Sequence, residues 1–368
     1  MLESSEGLVR AIAGLVVALL LSVLTAEAAS TASVAAAPSA VSVGQAAEAT
    51  SDGFRVVGRH LYDRCGEKVV LRGINKMIIW MDIDGVPSCR EIAKTGANSV
   101  RMVWLMSGTP AELDTAITNC VKEGLIPLIE LHDGIGDWSM LPALVDWWTS
   151  SEVLAVVARH RRHLLINIGN EVGDASVTDD EFREGYREAV GRLRAAGIHV
   201  PLVIDGTDWG KNIDVLQSEG PALIAADPDH NLIFSIHMWW PRRWGYTAQT
   251  VIDELAESVA LELPLMVGEF GNRWDMTPSG EIPYLTILEQ TDLDDIGMFP
   301  WEWGPGNNPQ TWLDMTSDST YDTLFGWGLE ASVTDEHSIA NTAVRPYSMV
   351  TGRCASPEIR RPGGRWVP

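Results

Sequence analysis

Apolar, often β-branched segments recur along the chain from residue 52 onward, separated by polar stretches with helical spacing. In the separating stretches 180–197 and 250–262, apolar residues return every three or four positions. Strands that are apolar throughout and alternate with helices are typical of a parallel sheet covered on both faces. Eight such segments predict eight strands, over 69–74, 98–104, 125–131, 164–169, 201–205, 232–237, 264–270 and 297–301.

The spacing of these strands predicts the fold. Their centres lie about 28 to 38 residues apart, the length of one strand–helix unit. Eight such units in about 250 residues predict an α/β fold of the (β/α)8 TIM-barrel type. An open doubly wound sheet is the alternative, but it would normally carry a glycine-rich phosphate turn after its first strand. The sequence there is RGINKM (72–77), without that glycine pattern, so the barrel is favoured.

The two ends of the chain lack this alternation. Residues 11–24 form one apolar run followed by the small-residue motif Ala26-Glu27-Ala28, which predicts a secretory signal peptide, with a retained membrane anchor as the alternative. At most one helix is expected over 335–368. The predicted organisation is a signal peptide over 1–28, an Ala/Ser-rich linker over 29–50, a barrel domain over 51–350 that opens with a short β-hairpin over 52–68, and a C-terminal tail over 351–368.

Composition narrows the choice of partner. The formal net charge of -23 argues against nucleic acid, whose phosphates require lysine and arginine, and fits a neutral substrate of a secreted protein. The chain carries 15 Trp but only 6 Phe and 6 Tyr. Tryptophan in such excess supplies flat, ring-sized surfaces in addition to core packing. Sugars are the usual ligands for many such surfaces.

The four cysteines form no C-x-x-C pair, so a zinc ribbon is not indicated. Disulfides are expected in an exported protein. Cys89 and Cys120 fall on consecutive predicted helices and make a reasonable pair, which leaves Cys65 with Cys354. Four cysteines allow three connectivities, so the pairing stays open at this point.

Catalytic groups of a barrel come from the carboxyl ends of several strands. Taken singly, a carboxylate or histidine at such a position is often structural. Many polar and aromatic groups that converge on one rim indicate an active site. The predicted strand ends carry Arg101, His132, Asp133, Asn170, Glu171, Asp205, Asp208, Trp209, His237, Trp239, Trp240, Glu269, Trp301, Glu302 and Trp303.

Two chemistries could use this set. Glycoside hydrolysis needs one protonated carboxylic acid and a second carboxylate on the other side of the sugar, and Glu171 and Glu269 follow strands four and seven, across the barrel mouth. Metal-assisted hydrolysis is less favoured, because the first strand lacks H-x-H and the chain lacks H-E-x-x-H. A catalytically silent carbohydrate-binding barrel would need the tryptophans but not the glutamate pair.

Seven motifs, taken in order, resemble those of family 5 glycoside hydrolases, secreted retaining (β/α)8 enzymes that cut β-1,4-linked polysaccharides. The resemblance runs from about Gly53 to Trp303. The segments that carry it are LYDRCGEKVVLRGIN, GANSVRMVW, IELHD, NIGNE, SIHMW, VGEFG and PWEW. It implies that Glu171 is the acid/base and Glu269 the nucleophile. The substrate-binding residues that it implies are Arg101, His132, Asn170, His237, Trp239 and Trp301.

The resemblance also implies partners and cofactors. A β-linked polysaccharide is the expected substrate, and no metal or other cofactor is expected to take part. A monomer is expected, with no stable membrane association after signal cleavage. Glu171 is expected to be protonated near neutral pH, while Glu269 is expected to stay ionised with the help of Arg101.

Within the family, INIGNE, ADPDHNLIFSIHM and GEFG are most similar to the bacterial endo-β-1,4-mannanase branch. Two positions depart from that branch. Trp239 stands where the family has a tyrosine that contacts the nucleophile, and indole offers only an N–H donor. Val172 follows Glu171, where mannanases usually have tryptophan or proline. An endo-β-1,4-glucanase, or cellulase, is therefore the alternative.

Overall fold

The computed structural model describes residues 52–355. The predicted signal peptide and linker and the last part of the predicted tail lie outside these residues. None of the helices in the described part is long and apolar enough to cross a membrane. A small antiparallel sheet comes first and contains β1 (Arg55–Val57), β2 (His60–Tyr62) and β3 (Lys68–Val69).

The main sheet contains eight strands that pair in chain order, each parallel to the next. The barrel closes where Arg72 pairs with Met298, whose N–H donates to the Leu71 carbonyl at 3.0 Å. The predicted (β/α)8 barrel is therefore confirmed. The strands are β4 (Gly73–Lys76), β5 (Ser99–Trp104), β6 (Ile126–Leu131), β7 (Leu165–Asn167), β8 (Leu202–Asp205), β9 (Leu232–His237), β10 (Leu265–Phe270) and β11 (Gly297–Pro300).

The first predicted strand, 69–74, was wrong as a single element. Its beginning belongs to β3 of the small sheet, and the barrel strand β4 starts only at Gly73. Both halves are apolar and buried, so the hydrophobic pattern does not mark where the chain passes from one sheet to the other. The predicted hairpin over 52–68 accordingly gains a third strand.

Helices cover the outside of the barrel. The predicted helical stretches 180–197 and 250–262 form the helices Asp179–Ala195 and Ala248–Ala260. Capping boxes at Thr109 and Thr178 start the helices Pro110–Lys122 and Asp179–Ala195. The helices are α1 (Ile78–Met81), α2 (Ser88–Ala93), α3 (Pro110–Lys122), α4 (Leu141–Trp148), α5 (Ser151–His160), α6 (Asp179–Ala195), α7 (Ile213–Ala226), α8 (Ala248–Ala260), α9 (Tyr284–Leu293), α10 (Gly326–Leu329), α11 (Ile339–Thr342) and α12 (Tyr347–Thr351).

The prediction of at most one helix after residue 335 was wrong. The described part of that segment contains two, α11 and α12. Each spans five residues or fewer, which is too short to produce a helical period in the sequence. Both disulfides join the pairs that the sequence suggested, Cys65 with Cys354 and Cys89 with Cys120.

The barrel interior is layered. Apolar side chains fill its amino-terminal end and pack on the small sheet through Phe54 and Leu61. Because side chains of a strand alternate between faces, the residue two positions further along points into the barrel again. In β6 that step leads from Leu128 to Glu130, and in β8 from Val203 to Asp205. The upper layer is therefore polar, and it lies directly beneath the carboxyl-end rim.

Arg72 holds the closed seam. Its buried guanidinium donates from Nη1 to the Ile296 carbonyl at 2.6 Å, from Nη2 to the Thr291 carbonyl at 3.0 Å and from Nε to Thr342 Oγ1 at 3.0 Å. These acceptors lie in α9, the loop after it and α11. One side chain from the start of the barrel thus donates hydrogen bonds to backbone carbonyls near the last barrel strand.

We expect Arg72→Met to lower the free energy of unfolding by about 3 kcal/mol, because several buried acceptors lose their donor together. Urea unfolding followed by tryptophan fluorescence measures this loss. Arg187→Met, which removes an exposed arginine paired with Glu184 within α6, is the matched control and should leave the midpoint unchanged. Equal midpoints for both variants would contradict a role for Arg72 in closure.

Candidate active site

A fully buried arginine lies at the centre of the polar layer. Arg101, on β5, donates from Nη1 to Glu269 Oε1 at 2.8 Å and from Nη2 to Asn170 Oδ1 at 2.6 Å. Glu130 and Asp205 lie 3.8 Å and 3.7 Å from the same guanidinium. A buried cation requires such compensation. The predicted pairing of Arg101 with a rim glutamate is present, and Glu269 is that glutamate.

Both oxygens of Glu269 accept hydrogen bonds. Arg101 holds Oε1, and the Trp239 indole N–H donates to Oε2 at 3.1 Å. Trp239 therefore supplies the contact to Glu269 that the sequence had placed in doubt. Burial raises the pKa of Glu269 to about 7, although Arg101, His132 and the Trp239 donor oppose it. The expected help from Arg101 is real, but burial outweighs it.

Glu171 follows β7 with a left-handed backbone, φ 50°. Two hydrogen bonds hold that conformation: its N–H donates to Asp205 Oδ2 at 3.0 Å, and its carbonyl accepts from Gly136 at 2.8 Å. Burial and the negative charges of Glu269 and Asp205 raise the pKa of Glu171 well above its usual range, against the opposing charges of Arg101 and Lys211. The protonated form of Glu171 is therefore favoured.

His237, at the end of β9, connects to Glu171. Its Nδ1 lies 2.8 Å from Glu171 Oε1, and its Nε2 lies 3.4 Å from Asp205 Oδ2. Burial and the charge of Arg101 lower the pKa of His237 well below its usual value, so the ring is neutral. With the ring proton on Nε2, on the side of the Asp205 carboxylate, Nδ1 would accept a hydrogen bond from protonated Glu171 and orient that carboxyl group. Nε2 itself makes no hydrogen bond to the described residues.

The two glutamates are close together. A Glu171 oxygen and a Glu269 oxygen lie within 4.8 Å of each other. Retaining glycosidases separate their carboxyl groups by about 5–5.5 Å and inverting ones by about 6.5–9.5 Å. An oxygen–oxygen distance within 4.8 Å fits the shorter separation, that of the retaining class.

The same cluster contains residue types that can bind a metal ion. Glu171, His237 and Glu269 each offer one ligand atom within 4.8 Å of the others. Arg101 and Trp239 already occupy the Glu269 oxygens, however, and the guanidinium charge would repel a cation at that position. The surroundings of Glu171, His237 and Glu269 therefore suit a pair of carboxyl groups without a metal ion better than a metal site.

A cleft of about 450 Å³ opens above the pair, and aromatic rings form much of its wall. The structure brings all the predicted site residues together, while their roles stay predictions. Arg101 and His237 lie buried beneath the cleft. Its lining contains His132, Asn170, Glu171, Trp239, Glu269 and Trp301, together with Ile135, Trp209, Lys211, Trp244, Trp274, Gln310 and Leu313.

Other candidates from the strand ends lie away from the chemistry. Trp240 is buried and stacks on Tyr246 at 4.8 Å, and Trp303 is fully buried. Asp133 accepts the backbone N–H of Met106. Glu302 is buried, and its Oε1 accepts from Asn307, which itself accepts the Trp301 indole N–H at 2.9 Å. It therefore supports the loop that holds Trp301.

Asn170 has a free donor directed to the site. Its Oδ1 accepts from Arg101, but its buried Nδ2 has no hydrogen-bond partner among the described residues. A buried N–H without a partner is costly, and a substrate hydroxyl would satisfy it. This geometry fits the predicted contact between Asn170 and a sugar hydroxyl.

Sequence reasoning missed several residues of the site. Glu130 lies 2.9 Å from His132 Nδ1, and against the effect of burial it raises the pKa of that histidine. A glutamate inside an otherwise apolar strand was the available signal. Asn75, at the end of the first barrel strand, donates to the Gly268 carbonyl and accepts from Arg101. Lys211, Trp244 and Trp274 lie in loops whose paths the sequence pattern does not define.

A buried carboxylate pair at the carboxyl-end rim of a (β/α)8 barrel, beneath an aromatic cleft, is well suited to the cleavage of a glycosidic bond. Comparison with known proteins agrees with this class. Residues 62–307 match the family model described as Cellulase (glycosyl hydrolase family 5). The chain belongs to glycosyl hydrolase family 5, and the resemblance found in the sequence is thereby confirmed.

Individual proteins of similar sequence or structure give a more specific comparison than the family model does. The chain is 30% identical to a mannan endo-1,4-beta-mannosidase of Salipaludibacillus agaradhaerens over 75% of this chain and 89% of that one. It is also 30% identical to a Streptomyces lividans enzyme of the same name, over 77% and 74%. The solved beta-mannanase of Thermomonospora fusca matches with a TM-score of 0.74 and 29% identity, covering 81% of this chain and 99% of its own.

The hydrogen bond from Trp239 to Glu269 predicts a pH effect. Trp239→Phe removes a donor that favours the carboxylate, so the pKa of Glu269 should rise and the acidic limb of the kcat/KM profile should move to higher pH. Activity at the optimum should fall about tenfold. Trp239→Tyr, which restores a donor, should recover the wild-type profile. An unshifted acidic limb in Trp239→Phe would show that this hydrogen bond does not tune Glu269.

Proposed function

We propose that this protein is a secreted, retaining endo-glycosidase that hydrolyses β-1,4-mannan, including glucomannan and galactomannan. Glu171 is its acid/base and Glu269 its nucleophile. The observation that carries the proposal is the pairing of two close carboxyl groups in opposed surroundings, one bound by Arg101 and the other by neutral His237. Secretion rests on the apolar run over 11–24 and the motif that follows it.

The first step forms a covalent intermediate. A Glu269 oxygen attacks the anomeric carbon while the Glu171 proton passes to the glycosidic oxygen, and the bond between that oxygen and the anomeric carbon breaks. Arg101 and Trp239 fix the attacking carboxylate, which removes the need to order it during the reaction. Asn170 Nδ2 donates to a hydroxyl of the reacting sugar.

The second step releases the sugar. Once Glu269 is esterified, its negative charge no longer raises the pKa of Glu171. Glu171 is then a carboxylate that removes a proton from water, and the resulting hydroxide attacks the anomeric carbon and frees Glu269. Neutral His237 orients the Glu171 carboxyl group only while that group carries its proton, which is in the first step.

Support for mannan comes from the relatives. Both curated relatives named above are mannan endo-1,4-beta-mannosidases, and the solved structure is a beta-mannanase. The description of the family model as a cellulase keeps an endo-β-1,4-glucanase as the second candidate. The Thermomonospora fusca beta-mannanase has also been solved as a mannohexaose complex. This supports an extended mannan chain as the substrate here.

The proposal predicts a substrate order. Reducing ends should appear at least tenfold faster from glucomannan or galactomannan than from carboxymethyl-cellulose, a difference of about 1.4 kcal/mol in transition-state binding. A reducing-sugar assay on both polymers measures the order. The reverse order would favour the glucanase, and no release from either would favour a silent binding barrel.

Substitution of Glu269 and substitution of Glu171 should impair hydrolysis in different ways. Glu269→Ala should be nearly inactive on both mannan and an activated aryl β-mannoside, since nothing replaces the nucleophile. Glu171→Ala should lose mannan hydrolysis yet still react with the aryl substrate, because a good leaving group needs no proton. Wild-type protein and His163→Ala, a change away from the rim, serve as controls.

Azide separates the two roles. With Glu171→Ala, azide should attack the covalent intermediate and give a β-glycosyl azide. With Glu269→Ala, azide should enter from the vacated face and give the α anomer. NMR of the products distinguishes these anomers. Exchanged anomers would reverse the two roles, and full activity in both variants would remove them from the mechanism.

A further inference from the structure

Two buried ionisable residues beside the site take no part in the proposed chemistry. Lys76 lies at the end of β4 and Glu302 just after β11, the strands that meet at the closing seam, and neither residue has exposed surface. A buried charge is costly unless another charge or hydrogen bonds compensate it. The Lys76 ammonium donates to the Gly304 carbonyl at 3.2 Å. Both residues therefore lie at the base of the loop that follows Trp301.

A single amide connects Glu302 to Trp301. Asn307 Oδ1 accepts the Trp301 indole N–H at 2.9 Å. At the other end of the amide, Nδ2 donates to Glu302 Oε1 at 3.3 Å and to Asp314 Oδ1 at 2.7 Å. Because an amide oxygen only accepts and an amide NH2 group only donates, the two carboxylates determine which end of Asn307 faces the indole.

Of the two carboxylates, Asp314 is the more heavily occupied. Its Oδ1 also accepts the backbone N–H groups of Gly306 and Asn307, at 3.0 and 3.1 Å. Three donors therefore share that oxygen. Glu302 supplies the separate acceptor that the second hydrogen of the Asn307 NH2 group needs.

The position of the Trp301 ring affects the wall of the cleft. The ring lines the cleft and stacks on His132, with the planes 11° apart and the centres 6.0 Å apart. Gln310 and Leu313, from the same loop, line the cleft as well. The resemblance assigns substrate binding to Trp301. A change at Glu302 therefore reaches the substrate-binding surface although Glu302 lies outside the cleft lining.

The charge of Glu302 depends on pH. Burial raises the pKa of Glu302 to about 7, although the positive charge of Lys76 opposes it and the negative charge of Asp314 adds to it. The carboxylate is therefore the main form above that pKa and the carboxylic acid below it. A carboxylic acid is the weaker acceptor and carries a donor of its own, so the hydrogen bond from Asn307 weakens as the pH falls.

We infer that Glu302 is a positioning residue for Trp301: its carboxylate fixes the Asn307 amide, and the amide holds the indole ring at the wall of the cleft. A neutral side chain at position 302 frees the Asn307 amide to rotate, and the ring then becomes mobile. The consequence for substrate binding rests on the proposed function. The contacts themselves exist in the protein without substrate.

NMR of the Trp301 indole N–H tests this link in substrate-free protein with isotope-labelled tryptophan. Trp301→Phe identifies the resonance by its loss. In the wild type the resonance should shift with pH, with a midpoint near the Glu302 pKa of about 7. Glu302→Gln, which has the same shape without the charge, should abolish the shift and speed exchange of the indole N–H with solvent about tenfold. Glu289→Gln removes an exposed carboxylate of α9 and should leave both properties unchanged.

Other titrating groups near the ring can be separated from Glu302. In Glu269→Gln the shift should persist with the same midpoint. A shift that survives Glu302→Gln would come from Glu269 or His132 and would overturn the inference. Asn307→Ala should speed exchange as Glu302→Gln does, and the double variant should add nothing, because one residue acts through the other. Additive effects of the two substitutions would also overturn it.

Kinetics measures the consequence for substrate. At a pH above the Glu302 pKa, Glu302→Gln should lower kcat/KM on mannopentaose about tenfold. The dependence of rate on leaving group across a series of aryl β-mannosides should stay that of the wild type, since the acid Glu171 is untouched. A steeper dependence would show that the change reaches Glu171 and would overturn the positioning role. If the wild-type protein cleaves no β-mannoside, the mannan proposal fails by itself, and the NMR test of Trp301 still decides the inference.

Discussion

The buried contact between Arg101 and Glu269 is the interaction on which the rest of the site depends. A guanidinium with no exposed surface must be surrounded by acceptors, and the barrel supplies them from Asn75, Glu130, Asn170 and Asp205 as well as Glu269. In the proposed mechanism, the same charge keeps one carboxylate available for attack in surroundings that otherwise favour its protonated form. Without it, two neighbouring glutamates in a buried site would share a proton without distinct roles.

The barrel makes this arrangement possible through the alternation of its strands. Apolar residues such as Leu128 and Val203 fill the lower layer, and the small sheet covers it. The next inward-facing position on each strand lies under the rim and is polar. The side chains that stabilise the barrel and the polar side chains of the site therefore lie in successive layers of the same strands. The loops at the rim supply the aromatic residues that line the cleft.

Much of this could be predicted from the sequence, because barrel strands are apolar throughout and their ends are marked by Glu171 and Glu269. The rest depends on contacts between distant segments. Lys211 lies between Trp209 and Trp244 only because the loops after β8 and β9 come into contact, and no local sequence pattern predicts that contact. The break between β3 and β4 is hidden because both sides are apolar. The raised pKa of Glu269 arises from burial, which depends on the complete fold.

In the proposed mechanism two close carboxyl groups carry out a double displacement, and the stereochemistry of the first product distinguishes it from direct attack by water. Proton NMR of mannopentaose hydrolysis, followed from the first minute, reports the anomer before mutarotation mixes the signals. Separation of the Glu171 and Glu269 oxygens by no more than 4.8 Å predicts that the new reducing end appears first as the β anomer. Initial appearance of the α anomer would mean direct attack by water and would contradict the account.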